Sequence, residues 1–70
     1  MAQLKQFVLN GETYYIKKNI NLFDLLIYFN YVNSILVLEY NKVICNKANW
    51  KSTFLQDQDK IEVVTIVGGG

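Results

Sequence analysis

Leu22-Phe23-Asp24-Leu25-Leu26-Ile27-Tyr28-Phe29 carries a helical repeat in a chain otherwise patterned for strands. Leu22, Leu25, Leu26 and Phe29 fall at i, i+3, i+4 and i+7, which is one face of a helix. Asn21 is a good N-cap, and Asp24 in the first turn meets the positive end of the helix dipole. The stripe reads as core, in a helix of two to three turns ending near Asn30–Asn33.

Before the helix, Phe7-Val8-Leu9 runs into Asn10-Gly11, and Glu12-Thr13-Tyr14-Tyr15-Ile16 returns. Asn-Gly between two apolar runs marks a hairpin, because both residues tolerate positive φ. After the helix, Ile35–Tyr40 reads as a buried strand, and Asn41-Lys42 turns it into Val43-Ile44-Cys45. Asn46–Thr53 reads as a loop or one helical turn, with Trp50 plugging one end of the core. Asp57-Gln58-Asp59 is a turn before the last strand, Ile61–Val67. There Ile61, Val63, Thr65 and Val67 share one face, and Glu62, Val64 and Ile66 share the other. A hairpin, a crossover helix and a last strand beside the first make an α+β chain of the β-grasp arrangement. One helix lies across a mixed sheet of four to five strands. The expected organisation is a single domain over residues 1–67 and a flexible glycine tail over 68–70.

Composition narrows the chemistry. The 70 residues carry seven Lys, six acids and a formal charge of +1, with no arginine, histidine or proline. Without histidine there is no Ser-His or Cys-His nucleophile pair and no imidazole acid–base step. Without arginine, the usual bidentate contacts to phosphate and guanine are missing, so nucleic acid is not an expected partner. Lys17-Lys18 is the one adjacent basic pair and reads as a solvated loop. Cys45 is the single cysteine, so no internal disulfide forms; it reads as a small core residue rather than a sulfur-handling thiol. Asp57, Asp59 and Glu62 lack a further ligand and read as a solvated turn and strand edge, so no metal is expected. No apolar run reaches the roughly 18–20 residues of a membrane span. Met1-Ala2-Gln3-Leu4-Lys5 does not look like a signal peptide. The expected location is therefore the cytoplasm, or the plastid stroma if an organelle genome encodes the chain; its wealth of Asn, Ile, Lys and Tyr fits an AT-rich genome.

Gly68-Gly69-Gly70 follows the last strand directly. At ~3.3–3.6 Å per extended residue this is roughly 10 Å of thread. Having no Cβ, it fits a channel too narrow for other residues. Its terminal carboxylate is ionised at neutral pH and needs activation, for example as an acyl-adenylate, before it acylates anything. The chain therefore reads as a carrier loaded at its C-terminus by a partner, and not as an enzyme. Val64, Ile66 and Val67 form the expected docking patch on the strand that leads to the tail.

From Trp50 to the end, Thr53-Phe54-Leu55-Gln56-Asp57-Gln58-Asp59-Lys60-Ile61-Glu62-Val63-Val64-Thr65-Ile66-Val67-Gly68-Gly69-Gly70 resembles the ThiS family, the ubiquitin-like sulfur carriers of thiamine biosynthesis. Asn10-Gly11-Glu12 and Leu25-Leu26 fit the same family, so the resemblance spans nearly the whole chain. Gln58 stands where the family usually has a turn glycine, which implies another turn type or a non-glycine residue at positive φ. The proline often found before the tryptophan is also missing. The resemblance implies that a ThiF-type adenylyltransferase uses ATP and Mg²⁺ to adenylate Gly70. A persulfide donor then replaces AMP and leaves a thiocarboxylate, and Gly68 and Gly69 thread the tail into its partners. A ThiG-type thiazole synthase takes the sulfur. No cofactor is bound by the chain itself, and the free protein is expected to be a monomer. Two other families use the same activation: the small subunit of molybdopterin synthase, which tends to carry prolines before its tail, and ubiquitin-like protein modifiers.

Overall fold

The computed structural model describes residues 3–31 and 35–66. Strand β1 (Lys5–Leu9) and strand β2 (Glu12–Ile16) precede helix α1 (Leu22–Tyr28). Strands β3 (Leu36–Tyr40) and β4 (Val43–Ile44), a 3-10 helix over Lys47–Ser52 and strand β5 (Asp59–Thr65) follow. The five strands lie in the order β2-β1-β5-β3-β4. β5 pairs in parallel with β1 and antiparallel with β3, so the last strand sits in the middle of a mixed sheet. This is the expected β-grasp topology, with five strands.

Asn10 and Gly11 take φ of 50° and 82°, the left-handed pair that a two-residue hairpin turn demands. Phe7 then faces Tyr14, and their rings stack at 5.6 Å. Asn21 caps α1 as expected, its side-chain oxygen accepting from the Asp24 N–H at 2.7 Å. The helix closes at Tyr28, earlier than the sequence suggests. Asn30 turns left-handed (φ 66°), its N–H donates to Ile27, and the Tyr31 N–H donates back to Leu26. These are the paired bonds of a Schellman cap, which asparagine tolerates because its short polar side chain suits that region. Phe29, placed on the stripe, becomes the cap residue and packs edge-on against Tyr14.

Leu22, Leu25 and Leu26 bury against Phe7, Leu9, Leu38, Ile61 and Val63 from the sheet. Trp50 and Leu55 close the core, and the Trp50 indole N–H donates to the Cys45 carbonyl at 2.9 Å. Phe54 forms an isolated bridge with Asn21, and the Leu22 and Leu55 N–H groups donate to Thr53 and Ile20, pinning the start of α1 to the chain before β5.

Gln58 sits at φ 71° with its N–H on the Gln6 carbonyl. The turn therefore keeps the conformation of a glycine turn with a residue that has a Cβ. Left-handed geometry costs a non-glycine residue roughly 1–2 kcal/mol. Gln58→Gly is expected to raise stability by about 1 kcal/mol, offset in part by the entropy of glycine in the unfolded chain. A thermal melt checks this; a rise of roughly 4–8 °C is expected.

Candidate functional site

The expected reactive segment, Gly68, Gly69 and Gly70, lies outside the described residues, as does Val67. What the structure describes is how the chain is held up to that point. β5 pairs with β1 over Asp59–Ile61 and with β3 over Ile61–Thr65, and just past it the Ile66 N–H donates to the Ile35 carbonyl at 2.7 Å. The two hairpin turns add side-chain bonds to the same strand. Asn10 donates its N–H to the Ile61 carbonyl, and its side-chain oxygen accepts from the Val63 N–H at 2.7 Å. That side chain continues the β1 edge after β1 has ended. On the other flank Asn41 donates its N–H to the Lys60 carbonyl and accepts the Lys60 N–H through its side chain, both at 2.7 Å.

Asp59 corrects the expectation of a solvated turn. It is only 6 % exposed. Its carboxylate accepts from the Tyr40 hydroxyl, from the Asn41 side-chain amide at 3.0 Å and from the Gln56 N–H at 2.7 Å. A buried carboxylate persists only when its oxygens are paired in this way. Asp57 is exposed, yet it too is engaged, accepting from the Gln6 N–H at 2.7 Å. Glu62 is exposed, as expected. Among the described residues no group of three or more His, Cys, Asp or Glu is placed to hold a metal ion.

Burial, then the hydrogen bond to Asp59, pushes the Tyr40 hydroxyl well above its ordinary range. A raised folded value means the unfolded chain loses this proton first. The neutral hydroxyl's contribution is therefore full below pH about 10 and is lost as pH rises further. Tyr40→Phe is expected to flatten the alkaline limb of a melting-temperature profile above pH about 10, while lowering stability at neutral pH.

The sheet face away from α1 carries Val64 (60 % exposed) and Ile66 (52 %) beside Val37, which lies opposite Val64. Ile44 pairs with Glu39 on the same face and is also exposed. The two expected docking residues that the structure describes thus join Val37 in an apolar patch at the end of the sheet from which β5 leads to the tail, with Ile44 two positions back on the neighbouring strand.

The ThiS family model matches residues 2–70. The chain belongs to the ThiS family. It is 58 % identical over 70 residues to the protein Ycf40 of Trieres chinensis, covering all of this chain and 96 % of that one. It is 40 % identical over 63 residues to the sulfur carrier protein ThiS of Bacillus subtilis (strain 168), covering 89 % and 96 %. The crystal structure of the thiamine biosynthesis protein ThiS from Geobacter metallireducens superposes with a TM-score of 0.78 at 20 % identity, covering 93 % of this chain and 99 % of that one. That likeness shows the shared ubiquitin-like β-grasp fold.

Within this ThiS-family fold Cys45 is half-buried and lies beside Trp50, its thiol directed at the Asn46 carbonyl at 3.9 Å. Asn10, Asn41 and Asp59 are the residues that sequence reasoning misses. The first two read as turn formers, yet their side chains also bond to β5. The available signal was an asparagine at the first position of both hairpin turns. No described helix is long and apolar enough to cross a membrane.

Proposed function

We propose that this ThiS-family chain is a sulfur carrier whose Gly70 carboxylate is the reactive group. A partner adenylyltransferase joins it to AMP from ATP with Mg²⁺ and releases pyrophosphate. A partner persulfide displaces AMP to form an acyl disulfide. A second partner thiol attacks its other sulfur, so that the S–S bond breaks, the two partner thiols end as a disulfide and the transferred sulfur stays on Gly70 as a thiocarboxylate for thiazole formation. Gly68 and Gly69 thread the tail into active sites that supply every catalytic group. The chain is thus a co-substrate rather than an enzyme. It works in the cytoplasm, or in the plastid stroma if an organelle genome encodes it.

The supporting observation is a glycine run that follows directly on the central strand of the sheet. β1 and Asn41 hold the start of β5, Asn10 holds it as far as Val63, and β3 pairs with it through Thr65, so the strand that leads to the tail is anchored in the sheet. The matching family and the sulfur carrier of Bacillus subtilis support the chemistry. The test is pyrophosphate release when the chain, ATP-Mg²⁺ and a ThiF-type enzyme are mixed. Release that saturates with the chain is expected; release indifferent to the chain rejects the reading.

The patch of Val64, Ile66 and Val67 is the docking surface in this proposal. Val64→Asp places a charge on an exposed position, so the melting temperature is expected to hold within a few degrees. Loading by the adenylyltransferase is expected to weaken by roughly tenfold or more, since an unpaired charge desolvated in an interface costs several kcal/mol. A titration of loading rate against chain concentration measures this.

A further inference from the structure

A second surface lies at the opposite pole, on the helix side of the sheet. β2 is an edge strand, paired with β1 alone. The two-residue hairpin sets the alternation of its ladder. Leu9–Glu12, Phe7–Tyr14 and Lys5–Ile16 are the bonded pairs, so the N–H and C=O of Thr13 and Tyr15 point to the free edge. Beside this edge, between β2 and α1, runs a groove of about 440 Å³. Its walls include Tyr14, Ile16, Leu25, Tyr28 and Phe29, with Tyr28 75 % exposed at the rim. Lys17 and Lys18 line one end, and no carboxylate lines any part of it. The Lys5 ammonium joins the same pole, donating to the Lys18 carbonyl and the Asn19 side chain, both at 3.3 Å.

An unpaired strand edge, an apolar trough beside it and a basic end together define an occupant. We propose that the β2–α1 groove binds an extended, apolar segment of a partner protein whose flanking carboxylates meet Lys17 and Lys18. The segment adds to the sheet as a strand against Thr13 and Tyr15. Alternate apolar side chains fill the trough whose walls are Tyr14, Ile16, Tyr28 and Phe29. Lys17 and Lys18 are then not merely a solvated loop. β2 runs antiparallel to β1, and β1 parallel to β5, so the Ile16 end of β2 lies at the pole where β5 begins. This site is remote from the Val64 patch, so occupancy there leaves the docking face free.

The probe is a synthetic peptide, Asp-Asp-Val-Ile-Val-Ile-Asp-Asp, titrated into the ¹⁵N-labelled full chain. Saturable shifts are expected at Thr13, Tyr15, Lys17 and Tyr28, with amide exchange of Thr13 and Tyr15 slowed about tenfold or more as their N–H groups gain acceptors. The exposed double variant K17E/K18E is expected to keep the native spectrum and bind roughly tenfold more weakly. A peptide with proline replacing the second valine is expected not to bind, because it cannot complete the ladder. Absence of saturation at millimolar peptide overturns the proposal. So do shifts confined to the Val37–Val64 face, or equal binding of the proline peptide, which leaves only nonspecific attraction of an apolar anion.

Discussion

Deleting Gly69 and Gly70 abolishes pyrophosphate release by the activating enzyme and leaves the melting temperature unchanged. The reasoning joins two independent features. The described core ends at Val63, and the last described backbone bond on the way to the tail is that of Ile66, just past β5. Removing the two residues beyond Gly68 therefore takes nothing from the core or the described ladder. The adenylation step, in contrast, needs the carboxylate in a narrow site, and shortening the thread by two residues withdraws it by roughly 7 Å. A displacement of even about 1 Å from reactive geometry can cost two orders of magnitude in rate. Loss of activity at an unchanged melt is thus the expected outcome. Restoring the length with two alanines is expected to recover little, since each added Cβ must pass where glycine fits.

Asp59→Ala lowers stability by about 3 kcal/mol, and the melting temperature by roughly 12–24 °C in a domain this small. The carboxylate gathers three donors from two segments, and its loss leaves the Tyr40 hydroxyl and the Gln56 N–H without that partner. Hydrogen bonds to a charged acceptor are worth about 1.5–3 kcal/mol each, and orphaned donors add their desolvation cost. Small domains have roughly 5 kcal/mol in total, so a large share is at stake. Circular dichroism melts measure the loss. The loading assay run well below the new melting temperature is expected to recover activity, because Asp59 acts on the base of β5 and not on the tail.

Much of the fold was legible in the residues. Asn10-Gly11 announced the first hairpin, and the Leu22-Leu25-Leu26 spacing announced the helix. The helix end was less legible, because Asn30 stops α1 through its backbone conformation, which leaves no break in the apolar pattern. Asp59 was misread for a different reason. In sequence it is one of three polar residues in a turn, and its partners Tyr40 and Asn41 lie 19 and 18 residues away. Only the β3–β5 register brings them to it. For the candidate site, strand alternation identified Val64 and Ile66, whereas Val37 and Ile44 joined the patch through that register. The glycines themselves were the plainest signal, since no core role explains three in succession after a strand.

Intact-mass analysis of the protein purified from its own host, with fragmentation of the C-terminus, tests the carrier role most directly. The expected result is a species heavier by one sulfur-for-oxygen exchange, located on Gly70. Gly70 joined to a lysine of another protein would contradict it in favour of a modifier. A terminus that stays unmodified even after incubation with ATP, a persulfide donor and a matching activating enzyme would contradict it altogether.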